Sequence, residues 1–326
     1  MYIPPFTVTS EILHLVSEIS EIVGAINVTL GENAPSPMLR KNNRIKTIHS
    51  SLAIEHNSLS LQQVTDIIDG KHVLGAPNEI QEVKNAVQAY QLMQQLDAFK
   101  EKDLLKAHGL MMKDLVEKAG HYRTGSVGVF DGTKCIHLAP PAAREPQLIS
   151  ELFEWVTHTD THPLISSCVF HYEFEFIHPF MDGNGRMGRY WQTMLLAHWK
   201  GIFAWLPVET IVKAHQQEYY NAIAISDSKG ECTTFISFML KCLLDSIREF
   251  NVADKVTEKV AEKPLTNNEE KLLTLISKNN YITIGEIINK TGLSDSGIRK
   301  ILSSLKKKGI ISRQGSRKNG HWVVNK

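Results

Sequence analysis

The chain has 326 residues, of which 42% are apolar and 22% charged, with a formal net charge of +1. That is ordinary globular composition, which excludes a disordered or collagen-like chain, and the length is enough for one large domain with an appendage. The near-zero balance conceals a split, because residues 264–326 carry twelve basic side chains against four acidic ones, a net +8 that leaves −7 on the rest.

The first residues show no basic segment leading into an apolar one, and no run of about 18 apolar residues occurs, so no membrane span and a cytoplasmic location are expected. Cys135, Cys168, Cys232 and Cys242 form no CxxC pair and lie in apolar stretches, as reduced buried thiols do.

Ile12, Leu13, Val16, Ile19 and Val23 recur at helical spacing and predict a helix over 8–24, capped by Thr9 or Ser10. Further helices are expected over 44–57, 79–99 and 101–119, the last stopped by Gly120. Between Tyr122 and Pro141, glycines interleave Val127, Val129, Phe130, Ile136 and Leu138, which predicts a β-hairpin turning at Asp131-Gly132. Helical periodicity returns over 147–156, 164–176, 186–200, 210–225 and 233–250. The polar, Lys/Glu-rich stretch 251–264 ends in Pro264 and reads as a linker. Beyond it, helices over 268–277, 283–290 and 295–308 precede strands over 310–313 and 321–324. The expected divisions are a helical region 1–100, a core 101–250, the linker and a small domain 265–326.

The most informative stretch is His178-Pro-Phe-Met-Asp-Gly-Asn-Gly-Arg-Met-Gly-Arg189, lying between two predicted helices. Pro179 stops the incoming helix, so His178 sits at its end, where an imidazole titrating near neutrality can take a proton from a hydroxyl. Gly183 and Gly185 permit a tight turn whose N–H groups converge at the next helix start, an anion site. Asp182 supplies a hard oxygen suited to Mg²⁺ held jointly with phosphates, and Arg186 and Arg189 project toward the same anion. The GxGxxG pattern within this loop is not a dinucleotide fingerprint, since it follows a helix and no βαβ unit surrounds it.

These residues resemble the Fic/Doc family, whose motif HxFx(D/E)GNGRxxR is matched by His178, Phe180, Asp182, Gly183, Asn184, Gly185, Arg186 and Arg189. The resemblance implies a mainly α fold: a Fic-type helical catalytic domain with a β-hairpin flap, here followed by a small winged-helix domain. It implies transfer of AMP from ATP to a Ser, Thr or Tyr hydroxyl of a target protein. His178 would be the general base, Asp182 the Mg²⁺ ligand, and Gly183, Asn184, Gly185, Arg186 and Arg189 the phosphate-binding groups. Gly185 favours AMP transfer, because the phosphate-transferring branch of the family has lysine there. The Val127-Gly128-Val129-Phe130 segment resembles the flap that clamps the target by strand addition. Tyr219 and Tyr220 resemble a pair beside the nucleoside.

Ser51-Leu-Ala-Ile-Glu55-His56-Asn57 resembles the family's inhibitory motif (S/T)xxxE(G/N), on a helix expected over about 44–57. Ser51 and Glu55, at i and i+4, share a helix face. In the class with an N-terminal inhibitory helix, this glutamate pairs with the motif's second arginine, here Arg189, and denies it to the γ-phosphate. His56 departs from the pattern.

His158 and His162 flank Asp160 in a loop without a further ligand nearby and read as solvated, and His171 reads as packing or support. Residues 265–326 resemble a winged helix-turn-helix, with Ser294 capping a recognition helix that carries Arg299 and Lys300, and with Arg313, Arg317 and Lys318 on the wing for phosphate contact. The expected partners are ATP, a target protein and, through this domain, DNA; exposed apolar positions on the first helix leave a homodimer open. Two rival readings stand beside AMP transfer. One is an ATP-sensing transcriptional regulator or toxin-antitoxin component, and the other is transfer of another phosphate-linked group or removal of AMP by the same site.

Overall fold

The computed structural model describes residues 2–30, 35–131, 134–261, 265–307, 309–314 and 320–324. They divide into two compact units, residues 1–35 with 40–250 and residues 36–39 with 251–326.

In the larger unit, α1 (Ser10–Leu30) starts where Thr9 Oγ1 accepts the Ile12 N–H at 3.2 Å. The second helix, α2 (Pro37–Ile54), begins well before the expected 44. Ser36 Oγ accepts the Leu39 N–H at 3.3 Å, and Pro37 occupies a position where no N–H is needed. An unforeseen α3 (Leu61–Ile68) follows, started by a capping box between Ser60 and Gln63. Next come α4 (Pro77–Leu92) and α5 (Glu101–Met111). The latter stops short of the expected 119, and the chain turns through Asp114, at φ 60°, to Gly120.

The expected hairpin is present as β1 (Gly128–Asp131) paired antiparallel with β2 (Lys134–Leu138), its register shifting between Val129 and Phe130. The turn residues 132–133 and the side chains of 129–138 lie outside the described residues.

The centre of this unit is built from α6 (Glu145–His158), α7 (Pro163–Ile177) and α8 (Asn184–Trp199). Phe170, Phe174, Phe180, Tyr190 and Trp191 are buried there, each contributing about 2–3 kcal/mol through apolar burial. Close approach of α7 and α8 depends on Gly188, where a Cβ would lie 2.6 Å from Glu175 Oε1. The single helix expected over 210–225 is broken at His215 into α9 (Val208–Ala214) and α10 (Gln216–Lys229).

The last helix of this unit, α11 (Thr233–Ala261), runs past Phe250, so the expected linker is helical through Ala261. Lysine and glutamate are good helix formers, and the stretch has no Gly or Pro before Pro264. Residues 262–264 lie outside the described ones. Ion pairs of Lys241 with Glu11 (2.7 Å) and of Arg248 with Glu18 tie α11 to α1. Cys168, Cys232 and Cys242 are free and buried, and among the described residues no helix is long and apolar enough to cross a membrane.

The smaller unit is a winged helix-turn-helix. It comprises α12 (Asn267–Lys278), α13 (Ile284–Thr291), α14 (Asp295–Lys307) and the antiparallel pair β3 (Ile311–Gln314) and β4 (His321–Val324). Capping boxes at Thr266–Glu269 and Thr283–Glu286 start α12 and α13, and Ser294 Oγ accepts the Gly297 N–H at 3.2 Å. Leu272, Ile276, Ile287, Ile298, Leu305 and Trp322 form a core of its own.

Candidate active site

Helix α7 ends at His178, which adopts the left-handed conformation (φ 52°, ψ 61°) and donates its N–H to Phe174 O at 2.9 Å. Its Nδ1 lies 3.2 Å from Glu175 O. A carbonyl can only accept, so Nδ1 carries the proton and Nε2 presents a lone pair, as a base requires.

The position of His178 is enforced by Arg123, a buried residue that sequence reasoning missed. Its Nε donates to His178 O (2.8 Å), one terminal nitrogen to Gly125 O (2.9 Å), and the other to Pro140 O and Ile177 O. Its backbone N–H donates to Pro179 O at 2.9 Å. One guanidinium thus joins the two ends of the hairpin segment to the turn that bears His178.

The loop after His178 rests on His108, also missed. The His108 ring stacks on Phe180 with centroids 3.6 Å apart and planes 5° from parallel. Gly120 N–H donates to Nδ1 (2.8 Å), so Nε2 holds the proton and donates to Asp182 O at 3.1 Å. Burial pushes the His108 pKa down to about 4, which keeps the ring neutral. Gly183, at φ 84°, completes the turn where a Cβ would lie 2.6 Å from Met112 Sδ. The Asn184 side chain is consumed by the loop itself, accepting from Phe180 N–H and donating to Phe180 O, both at 2.9 Å. Expected among the phosphate-binding groups, Asn184 closes the turn with its side chain while its backbone N–H stands at the start of α8. The first N–H groups of α8, at Asn184, Gly185 and Arg186, have no intrahelical acceptor and open toward the loop.

Arg186 is buried and divides its guanidinium between Glu82 Oε1 on α4 (3.0 Å) and Asp182 Oδ1 (3.2 Å). Glu82 Oε2 in turn accepts from Asn57 at 2.7 Å. Asp182 Oδ1 also takes the Gly183 N–H at 2.6 Å, which leaves the other oxygen on a side chain more than half exposed. Among the described residues no three His, Cys, Asp or Glu side chains gather as a metal site. A Mg²⁺ ion at Asp182 would therefore take one protein oxygen and complete its shell with phosphates and water. That is how this ion is usually held, and the residues present fit it.

Arg189, only 3% exposed, donates from Nε to Ser51 Oγ (3.2 Å) and from one terminal nitrogen to Ser51 O (3.0 Å) and Glu55 Oε1 (2.8 Å). Burial alone would lower its pKa, and the Glu55 carboxylate more than offsets that, so the guanidinium stays charged. A Cβ at Gly185 would collide with Glu55 Oε1. The inhibitory segment expected from the sequence thus meets the motif's second arginine.

The departure at His56 is explained by backbone geometry. His56 has φ 69°, Asn57 N–H donates to Leu52 O (3.1 Å) and His56 N–H to Ala53 O (3.2 Å), the paired bonds of a Schellman helix end. Gly or Asn fits that left-handed position best, and His adopts it here. The end of α2 is also held from outside, by Lys213 Nζ, which joins the His56 N–H on Ala53 O (2.7 Å), and by Gln216 Nε2 on Ile54 O (3.0 Å). Neither residue was foreseen.

The expected tyrosine pair separates. Tyr219 is 2% exposed and lies 3.2 Å from His171 Nε2, a core position rather than a nucleoside contact. Tyr220, 40% exposed, accepts from Gln216 Nε2 at 3.2 Å, the same amide that caps Ile54 O at the end of α2. Adjacent helical residues point about 100° apart, which sends one inward and one outward. His171 is buried against Gln192 (2.7 Å), as expected of a support, and His162 caps α7 by accepting the Leu164 N–H. In the winged helix, Arg299 and Lys300 are exposed, Arg299 is held by Asp295 at 2.7 Å, and Arg313 lies over the Trp322 ring at 5.3 Å. Arg317 and Lys318 lie outside the described residues.

The site thus combines a hairpin, a left-handed His at a helix end and a glycine-rich turn closed by an arginine–glutamate pair. The sequence profile of the Fic/DOC family matches residues 98–196, and that of the winged helix-turn-helix DNA-binding family matches residues 265–312. A crystal structure of a Fic family protein from Desulfovibrio desulfuricans G20 is 44% identical, covers 99% of this chain and 98% of its own, and superposes with a TM-score of 0.78. The chain belongs to the Fic/DOC family.

It is also similar to proteins named protein adenylyltransferase Fic. The one from Culex quinquefasciatus is 29% identical over 213 residues, and the one from Drosophila melanogaster 30% identical over 217. These matches cover 61% and 62% of this chain, which spans only 40% and 41% of those relatives. Fic-1 from C. elegans, at 20% identity and a TM-score of 0.59 over 76% of this chain and 72% of its own, shares the fold.

Proposed function

We propose that this protein transfers AMP from ATP to a Ser, Thr or Tyr hydroxyl of a target protein and that Glu55 restrains the reaction. The observation that carries this reading is the 2.8 Å pair between Glu55 and Arg189 beside Gly185, where the motif's phosphates would lie.

The attacking hydroxyl oxygen forms a bond to the α-phosphorus and gives its proton to His178 Nε2. The bond from that phosphorus to the bridging oxygen breaks, and pyrophosphate leaves with the electron pair. The N–H groups at the start of α8 and Arg186 face the charge that develops on the phosphoryl oxygens. Mg²⁺ held at Asp182 would neutralise phosphate charge. The antiparallel pair β1–β2 suits backbone pairing with a target segment, which tolerates many side chains. With Arg189 turned to Glu55, the terminal phosphate lacks its guanidinium.

The test is Mg²⁺-dependent incorporation of label from α-³²P-ATP into the protein or a lysate. Label should rise in Glu55→Gly and vanish in Glu55→Gly/His178→Ala. No label in any form, with ATP binding retained, would refute AMP transfer and favour the nucleotide-sensing reading.

The winged-helix profile supports a second role, contact with duplex DNA through residues 265–326. A gel-shift with the full chain should show retention that weakens steeply with salt, and no retention at low salt would remove it.

A further inference from the structure

A cavity beside the N-terminal half of α2 takes no part in the chemistry above. It encloses about 720 Å³, within the range that houses a small ligand. Its wall carries Arg40 and Arg44, one helical turn apart. Their guanidinium groups lie 5.3 and 5.1 Å from the ring centre of Trp205, and Arg44 also lies 4.6 Å over Tyr90.

Among the described residues neither arginine makes a hydrogen bond or ion pair, and Arg40 Nε is buried without a partner. Glu209 attracts Arg44 through space, with no ion pair between them, and does not line the cavity. Lys41 pairs with Asp69 at 2.7 Å. Of the carboxylates on the cavity wall, Asp97 takes Lys100 (2.9 Å) and the Phe99 N–H (3.0 Å), and Asp103 takes the Asp97 N–H (2.9 Å). Burial holds the Arg44 pKa below its ordinary value, the mark of a cation poorly compensated by its surroundings.

Three unfavourable terms therefore coincide. Like charges at i and i+4 repel, Arg40 in the first turn faces the positive end of the helix dipole, and a partly buried guanidinium lacks an acceptor. One anion in the cavity removes all three.

We propose that this cavity binds a phosphate-bearing small molecule, with Arg40 and Arg44 as its guanidinium ligands held in place by Trp205. The planar fork of each guanidinium matches two phosphate oxygens at once, and Gln94 and His198 on the same wall supply further polar groups. The site is separate from the loop of 178–189, since none of that loop lines it.

The test uses inorganic pyrophosphate without metal, titrated calorimetrically into the full chain. Because the motif loop also attracts phosphate, wild type is compared with Arg186→Gln, which weakens the loop site, and with Arg44→Gln. One class of binding should survive in Arg186→Gln and weaken at least tenfold in Arg44→Gln. If Arg44→Gln fails to fold, Arg40→Ala should weaken the same class at least threefold. Loss of all binding in a folded Arg186→Gln, or unchanged affinity and stoichiometry in the folded Arg40 or Arg44 variant, would overturn the proposal. Neither outcome depends on AMP transfer, so this reading and the proposed activity fail separately.

Discussion

Lys213 offers the sharpest test of how the restraint is held. Its ammonium donates to Ala53 O at 2.7 Å, in the last turn of α2, and to Gln216 Oε1 at 2.7 Å. A hydrogen bond from a charged donor contributes about 1.5–3 kcal/mol, and a cation at a helix C-terminus about 0.3–1 kcal/mol. Lys213 is half-buried and water can reach the freed carbonyl in its absence, so the net loss in Lys213→Met is about 1–1.5 kcal/mol. If closure of Glu55 on Arg189 depends on the end of α2 staying docked, that loss shifts the closed-to-open ratio roughly 5- to 10-fold. Initial rates of label transfer from α-³²P-ATP should rise by that factor in Lys213→Met. In a Glu55→Gly background the same substitution should add nothing, because the two act on one equilibrium and are not additive. An equal rise in both backgrounds would refute the latch, and a fall in both would mean that Lys213 serves the nucleotide instead.

Arg123→Ala should cost activity and stability together, since four carbonyls lose their donor; a loss of about 2–4 kcal/mol in urea unfolding is expected, and Arg123→Lys, lacking the fork, should not restore the rate. His108, with its folded pKa near 4, refuses a proton that the unfolded chain accepts, so its contribution is full above about pH 6.5 and lost as pH falls toward 4. Between pH 6.5 and 5 that amounts to about 2 kcal/mol. Glu145, Glu173 and Glu209, pushed up to about 7 by burial, act in the opposite sense, so the measurement is the difference between wild type and His108→Gln in urea unfolding at the two pH values. His56→Gly should raise stability by about 0.5–1 kcal/mol by relieving the left-handed residue at φ 69°, and a drop in melting temperature would contradict the strain argument.

The motif turn is legible in the sequence because its residues are local. Base, carboxylate, anion turn and both arginines occupy twelve consecutive positions, and Ser51 with Glu55 form a single i, i+4 pair. What supports them is not local. Arg123 is one arginine in a glycine-containing loop, and only the fold brings it under His178. His108 reads as an ordinary helical histidine until Phe180 stacks on it. Lys213 and Gln216 become helix caps only because α9 and α10 meet the end of α2. The helicity of the linker is a different case: a run of Lys and Glu is both what a solvated connector looks like and what an exposed helix prefers, and charge alone does not separate them. The start of α2 and the whole of α3 were readable from Ser36-Pro37 and from Ser60 with Gln63, signals of capping rather than of apolar periodicity.

Gly185 joins the two states of the site. A Cβ there would collide with Glu55 Oε1 and lie 3.1 Å from an Arg189 terminal nitrogen, so the space that the motif assigns to a terminal phosphate is the space that the carboxylate fills. Two anions about 4 Å apart near a protein surface repel by about 4 kcal/mol at an effective dielectric constant of 20, so phosphate and carboxylate exclude each other at one guanidinium. On the proposed function, restraint and productive ATP binding would be competing occupancies of the same few ångströms. Glu55 follows the last residue of α2, Ile54, and its backbone is fixed by the Schellman bonds while its side chain is about one-third exposed. Undocking of that helix end would release Arg189 by moving the point from which the Glu55 side chain reaches it, which is what loss of the Lys213 contact tests.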